Sequence, residues 1–214
     1  ASRHALPRFT VPGPLRTAAL KPEEKTAWEV GADLGFFNER LGFVVTYYDE
    51  RTRNQILGVD ISPTSGYTSQ TVNAGEIRNW GYEMLLRAVP VRLDNGFTWE
   101  TTVNFALPKN EVVDLYGGED GIDAYRLGGA YWSLEVQARR GRPYGVLWGN
   151  GFLRHEGKIV VDENGVPLID PVMRELGNYN PDWLAGIRNR FTYGDFDLSF
   201  LLDTKQGGQL FSTT

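Results

Sequence analysis

The chain has 214 residues, 41% of them hydrophobic and 13% aromatic, with 25 glycines, no cysteine and a formal net charge of −5. The missing cysteines exclude disulfides, thiolate catalysis and cysteine-ligated metal, and the interspersed charges offer no basic stripe to nucleic acid. No stretch reaches the roughly 18–20 consecutive apolar residues of a spanning helix, a test that a β-barrel escapes because half of each strand is polar.

Residues 1–25 carry Pro7, Pro12, Pro14 and Pro22, too dense a set for regular structure, and predict an external loop. Ala1–Leu20 contains Arg3, Arg8 and Arg16 but no apolar core like that of a signal peptide, so the natural N-terminus is expected elsewhere and the chain to be a fragment.

From Thr26 the pattern changes. Trp28, Val30, Ala32, Leu34 and Phe36 alternate with Glu29, Gly31, Asp33 and Gly35, the period of a strand wetted on one side. This strand is expected to run to Phe37 and to turn at Asn38-Glu39. A second strand starts at Leu41, with Leu41, Phe43, Val45 and Tyr47 on one face, completing a hairpin over 26–48. Residues 49–76 predict a loop, into which Asp49–Gln55 extends the strand beyond a bilayer. A second hairpin spans 77–106. In it Trp80, Tyr82, Met84, Leu86 and Ala88 alternate with Gly81, Glu83, Leu85 and Arg87. After the turn pair Asn95-Gly96, Phe97, Trp99, Thr101, Val103 and Phe105 alternate with Thr98, Glu100, Thr102 and Asn104.

Residues 107–182 lack sustained alternation and predict one long external loop. It is expected to hold a small hairpin about Asp162-Glu163-Asn164-Gly165 and a short helix near Gly129–Ala138. The third hairpin covers 183–204. Ala185, Ile187, Phe191 and Tyr193 oppose Gly186, Arg188, Arg190 and Thr192, with Asn189 interrupting the apolar face. Gly194-Asp195 turns the chain into Phe196, Leu198, Phe200 and Leu202, which alternate with Asp197, Ser199 and Asp203. Residues 205–214 begin a further loop.

Short connections after the first, third and fifth strands and long ones after the second and fourth put turns on one rim and loops on the other. Outer-membrane barrels are built this way. Aromatics flank the short turns, as a periplasmic girdle would, and Trp28, Tyr47, Trp80 and Phe105 suit an outer girdle. The predicted fold is an all-β, antiparallel, up-and-down transmembrane β-barrel fragment of about six strands. Its polar face makes Glu29, Asp33, Glu83, Arg87, Glu100, Asn104, Arg188, Arg190 and Asp197 candidates for lining a hydrated lumen and substrate path. Trp132, Tyr144 and Trp148 in the long loop are candidates for stacking against cargo. A barrel supplies a path rather than covalent chemistry, so no residue is expected to be catalytic.

Sharper motifs weaken on inspection. His155-Glu156 lacks a second histidine four residues on, so no metalloprotease pair is formed. Gly118–Gly121 and Asp162–Gly165 lack the alternating oxygen ligands of a calcium loop. No metal or cofactor is therefore expected. A passive porin, a siderophore or vitamin receptor, and a soluble β-rich carbohydrate-binding domain remain alternatives.

Four stretches carry a family resemblance. Leu20-Lys21-Pro22-Glu23 precedes Trp28–Leu34 and Phe37-Asn38-Glu39-Arg40-Leu41. Tyr47-Tyr48 leads through Arg51-Thr52-Arg53 to Ile56-Leu57, and Asn73–Ile77 to Asn79-Trp80-Gly81-Tyr82-Glu83. Leu176-Gly177-Asn178 and Asn180-Pro181-Asp182 run into Phe191-Thr192-Tyr193, Phe196–Phe200 and Gly207-Gly208. In order and spacing the chain resembles the C-terminal barrel region of the SusC/RagA family of TonB-linked outer-membrane transporters. The resemblance implies a barrel of roughly 22 strands with a plug and a TonB-contacting region expected outside this piece. It also implies a cell outer membrane of Bacteroidota type, a SusD-like surface lipoprotein as partner, and import of glycans or peptides.

Overall fold

A computed structural model describes residues 15–16, 20–60, 63–67, 69–116, 121–128 and 133–212. β1 (Leu15–Arg16) is followed by β2 (Glu24–Phe36) and β3 (Leu41–Arg53), then by β4 (Ile56–Asp60) and β5 (Ser69–Asn73). β6 (Glu76–Arg92) and β7 (Thr98–Asp114) form the next hairpin. The long connection holds β8 (Ala124–Arg126), β9 (Leu134–Arg139), β10 (Val146–Phe152), β11 (Arg154–His155), β12 (Lys158–Ile159) and β13 (Ile169–Asn178). β14 (Trp183–Tyr193) and β15 (Phe196–Gln206) complete the described strands.

Six of these strands form one antiparallel sheet in which neighbours in sequence are neighbours in space: β2-β3-β6-β7-β14-β15. The register ties period two to two unlike faces. Leu34, Phe43, Leu86, Val103, Ile187 and Leu202 pair across all six strands. One residue along, Asp33, Val44, Leu85, Asn104, Gly186 and Asp203 pair on the other face. Rows above and below the leucine row are Ala32-Val45-Met84-Phe105-Ala185 and Phe36-Leu41-Ala88-Thr101. The result is a continuous apolar band.

Among the described residues nothing covers that band. Val30 is 65% exposed, Leu34 45% and Leu202 63%, and every buried hydrophobic among the described residues lies at the long-loop end of the molecule or in the loops themselves. From Trp28 to Phe36 a strand of this kind is about 27 Å long, which at a tilt of about 40° spans roughly 20 Å. That height suits the apolar belt of an outer-membrane barrel.

The short rim is closed by three tight connections. In Phe37-Asn38-Glu39-Arg40 the first three residues are left-handed, with φ of 56°, 53° and 62°, and the Arg40 amide donates to the Phe37 carbonyl at 3.3 Å. Phe37 thus belongs to the turn rather than to the strand. The second hairpin turns at Asn95-Gly96, where the Phe97 amide donates to Asn95 Oδ1 at 3.0 Å. Pro90 sits in a bulge of β6 between the pairs Ala88–Thr101 and Val91–Trp99. A proline, having no N–H, is tolerated where a strand leaves the ladder. On the other side of β6 the Val89 amide donates to the Arg40 carbonyl at 2.8 Å, carrying the β3–β6 ladder one residue further and tying the first turn to the second hairpin.

The long rim is more structured than the sequence suggested. β3 extends to Arg53 and β7 to Asp114, and the 49–76 connection supplies β4 and β5 to a three-stranded sheet in the order β1-β5-β4, which β1 joins from the N-terminal segment. The 107–182 connection contains a four-stranded sheet in the order β13-β10-β9-β8 and the β11-β12 ribbon. The expected helix near Gly129–Ala138 is not formed in its described part, where β9 runs from Leu134 to Arg139. Leu134, Val136 and Ala138 alternate there with Glu135, Gln137 and Arg139, a period of two that decides for strand. The expected Asp162–Gly165 turn is present: the Gly165 amide donates to the Asp162 carbonyl at 3.0 Å, and Val161 bridges Pro167.

Candidate transport path and loop surface

The polar face takes the odd positions of β2, β6 and β15 and the even positions of β3, β7 and β14. Glu29, Asp33, Glu83, Arg87, Glu100, Asn104, Arg188, Arg190 and Asp197 all fall on it. Its charge is not uniform. Near the long-loop end, Glu29, Glu50 and Glu83 border a hollow of about 360 Å³ with Thr46 and Tyr48, and Lys25 Nζ lies 2.8 Å from Glu50. Near the short rim, Arg190 Nη2 lies 2.6 Å from Asp197 Oδ2, and Arg190 Nη1 lies 3.8 Å from Glu100.

Between these charged zones is an apolar island that alternation did not reveal. Val44, Leu85, Ala106 and Leu184 line a hollow of about 350 Å³ together with Glu83 and Asn104. Two glycines shape this face. At Gly186 a Cβ would collide with the Asn104 and Asp203 side chains, which lean together over it. At Gly81 a Cβ would stand 2.9 Å from Tyr48 Oη, so glycine lets the tyrosine lie across β6. Both glycines stand on the polar side of the alternation, where a missing side chain is the available signal of a close approach.

The apolar face is bounded by aromatics. Trp28, Tyr47 and Tyr82 form a tilted row with centroids 5.2 and 4.9 Å apart, and Phe105 meets Trp183 at 5.7 Å. At the short rim Phe191 contacts Phe97, Trp99 and Phe200. Asn189, the polar interruption, is accounted for here: its Oδ1 accepts the Trp99 indole N–H at 3.0 Å. Immediately beyond Trp28 and Tyr82 the same face turns ionic, with an Arg78–Asp49 pair and Arg51 and Arg53 each 3.1 Å from Glu76. Apolar solvent therefore ends at that row.

The loop sheet is rooted in the outer end of β7. Val112, Leu115 and Ala138 form its buried cluster, against which Ile122, Tyr125, Leu127 and Tyr144 pack. Tyr144 is fixed further by its amide, which donates to Asn110 Oδ1 at 2.7 Å. Burial raises the Tyr144 phenol above its ordinary pKa, with the neighbouring Tyr179 and Tyr125 adding to the shift, and burial alone raises Tyr179. Gly145, at φ 93°, leaves the place of its Cβ to the Tyr179 ring. Trp148 stands on the polar side of the loop sheet, with the Arg139 guanidinium 3.8 Å from its ring centroid. Arg139 Nη1 donates to Gln137 Oε1 at 2.8 Å, and Gln137 Nε2 to Glu135 Oε2 at 2.6 Å. Of the three loop aromatics singled out above, Tyr144 is part of the loop core, Trp148 is half-buried on the polar surface, and Trp132 lies outside the described residues.

The family model described as "TonB dependent receptor-like, beta-barrel" matches residues 7–208. TonB-dependent receptor P26 of Formosa agariphila is 30% identical, an alignment covering 89% of this chain and 21% of that protein. TonB-dependent receptor SusC of Bacteroides thetaiotaomicron is 31% identical over 86% of this chain and 19% of its own length. The chain spans about a fifth of the curated relatives it matches. In fold it resembles the RagAB peptide importer in the "open-open" state, with a TM-score of 0.69 at 18% identity over 87% of this chain and 21% of that one.

Proposed function

As this chain belongs to the TonB-dependent receptor β-barrel family, we propose that its parent protein imports large nutrients across an outer membrane, energised through TonB. The observation that carries this reading is the six-strand apolar band with no covering element among the described residues, backed by a polar face of opposite character. An antiparallel sheet in water buries one face against another layer, whereas a barrel wall gives that face to lipid and the other to a wet interior. Glu29, Asp33, Glu83, Arg87, Glu100, Asn104, Arg188, Arg190 and Asp197 line the path in this reading. The loop sheet with Tyr144 and Trp148 meets cargo or a SusD-like lipoprotein at the mouth. The cargo class is oligosaccharide or peptide, both of which a wide lumen admits.

Cells carrying the complete receptor test this. Depletion of a mixed oligosaccharide pool and of a mixed peptide pool from the medium is followed by mass spectrometry, with and without collapse of the proton-motive force. Uptake that requires both the receptor and the gradient supports the proposal. Uptake that persists in uncoupled cells identifies a passive porin, and release of the receptor with soluble proteins removes the membrane reading altogether.

A further inference from the structure

We infer that Arg87, Thr102 and Arg188 form an oxyanion-binding row on the barrel wall, a station for a carboxylate or sulfate group carried by the cargo. The inference rests on the reading of the polar face as the lumen. Thr102 pairs with Arg87 on one side and Arg188 on the other, so the two arginines share one transverse row. Their backbones are two strand spacings apart, roughly 9–10 Å. Each side chain is long enough to reach over Thr102, whose hydroxyl supplies a third donor at the floor.

Neither arginine of this row has an ion-pair partner among the described residues, although both stand on one row. On the same face Arg190 is neutralised by Asp197 and Glu100, and Lys25 by Glu50. No ion pair or side-chain hydrogen bond among the described residues engages the guanidinium of Arg87 or Arg188. Two acids stand diagonal to the row: Asp203, which leans over Gly186 toward Asn104, and Glu100, which lies 3.8 Å from Arg190. Beside Arg87 the row continues with Gly42, where an added Cβ would meet only the Arg87 Cβ, at 4.0 Å. Two unpaired planar forks flanking a hydroxyl suit an oxyanion, which a guanidinium holds through paired N–H donors.

Crystals of the complete receptor, soaked in selenate as the oxyanion probe, test the assignment at the selenium edge. A selenate within hydrogen-bonding reach of both guanidiniums and Thr102 is expected, lost in R87Q/R188Q and retained in R87K/R188K. Titration of sulfate into the detergent-solubilised receptor should show at least a tenfold weaker affinity for the double glutamine variant. An empty row overturns the proposal, as does a plug carboxylate seated between the two arginines, or selenate that survives the glutamine substitutions as an adventitious ion only. Arg87 and Arg188 facing detergent in the same crystals would instead overturn the lumen reading, a separately visible result.

Discussion

The six-stranded sheet and the four-stranded loop sheet are built from the same alternating pattern and reach opposite arrangements. In the loop sheet, Ala138 alternates with polar neighbours and is 2% exposed, packed on Val112 at 0%. In the large sheet, Leu34 and Leu202 alternate with polar neighbours and stay uncovered. The loop sheet is folded for water and builds a core against the outer end of β7. The large sheet is folded for lipid, which takes the place of a core, so its apolar side chains need a solvent rather than a partner layer. The same residue change should therefore act through different physics in the two regions.

The widest separation is expected at two adjacent leucines of β6. Leu86 stands in the apolar row and Leu85 in the polar-face hollow. In the complete receptor, Leu86→Arg should cost about 2–4 kcal/mol of insertion at the midplane, while Leu85→Arg should cost far less. Both variants share a strand, a depth and a replaced side chain, so folding yield into lipid vesicles isolates the face. Equal losses would mean that the faces are misassigned.

The loop core offers the complementary test. Val112→Ala removes two methyl groups from a fully buried site and should destabilise the loop sheet by about 2 kcal/mol. Limited proteolysis should then cut within 121–178 while the heat-resistant mobility of the barrel on gels is unchanged. Loss of barrel mobility together with the loop would show the two regions to be one cooperative unit.

Alkaline titration should separate the regions again. The Tyr144 and Tyr179 phenols are raised by burial, so the folded loop sheet holds their protons more tightly than the unfolded one. Its stability is full below the unfolded value near 10 and falls as pH rises beyond it. Protease sensitivity of the loop should increase above about pH 10, in step with tyrosinate absorbance, before the barrel is affected. Tyr144→Phe should reduce that sensitivity.

The smallest effect is expected at a polar residue whose side chain is satisfied by another side chain within the apolar rows. Trp99 and Asn189 are joined by a 3.0 Å hydrogen bond. A double-mutant cycle with Trp99→Phe and Asn189→Ala should give a coupling of about 0.6 kcal/mol, the scale of side-chain hydrogen bonds in membranes. A coupling near zero would show the interfacial headgroups to be equally good partners.

The large sheet was legible because its two solvents differ so strongly that alternation records the face at nearly every position, from Trp28 through Leu202. Asn189 looked like a defect because its explanation, Trp99, lies 90 residues away in sequence. The loop was harder to read. Gln137 is 8% exposed although polar, satisfied by Glu135 and Arg139, so burial there no longer follows side-chain type. The apolar island of Val44, Leu85 and Leu184 was hidden for the opposite reason: these residues occupy positions that alternation assigns to water. Which of the polar-face residues stood together as ion pairs was set by register, which the turns fix and the strands alone do not.

The outer ends of β6 and β7 have a mechanical consequence. Past the Tyr82–Leu107 pair the two strands stay bonded as far as Glu76 and Asp114, a ribbon about 20 Å long that at a tilt of about 40° rises roughly 15 Å from the last lipid-facing row. The loop sheet hangs from the top of this mast through Val112 and Leu115. Its height above the headgroups is thus held by backbone hydrogen bonds, not by a tether. An arriving molecule would meet a fixed sill at the mouth, and loop residues could be exchanged there without disturbing the wall below.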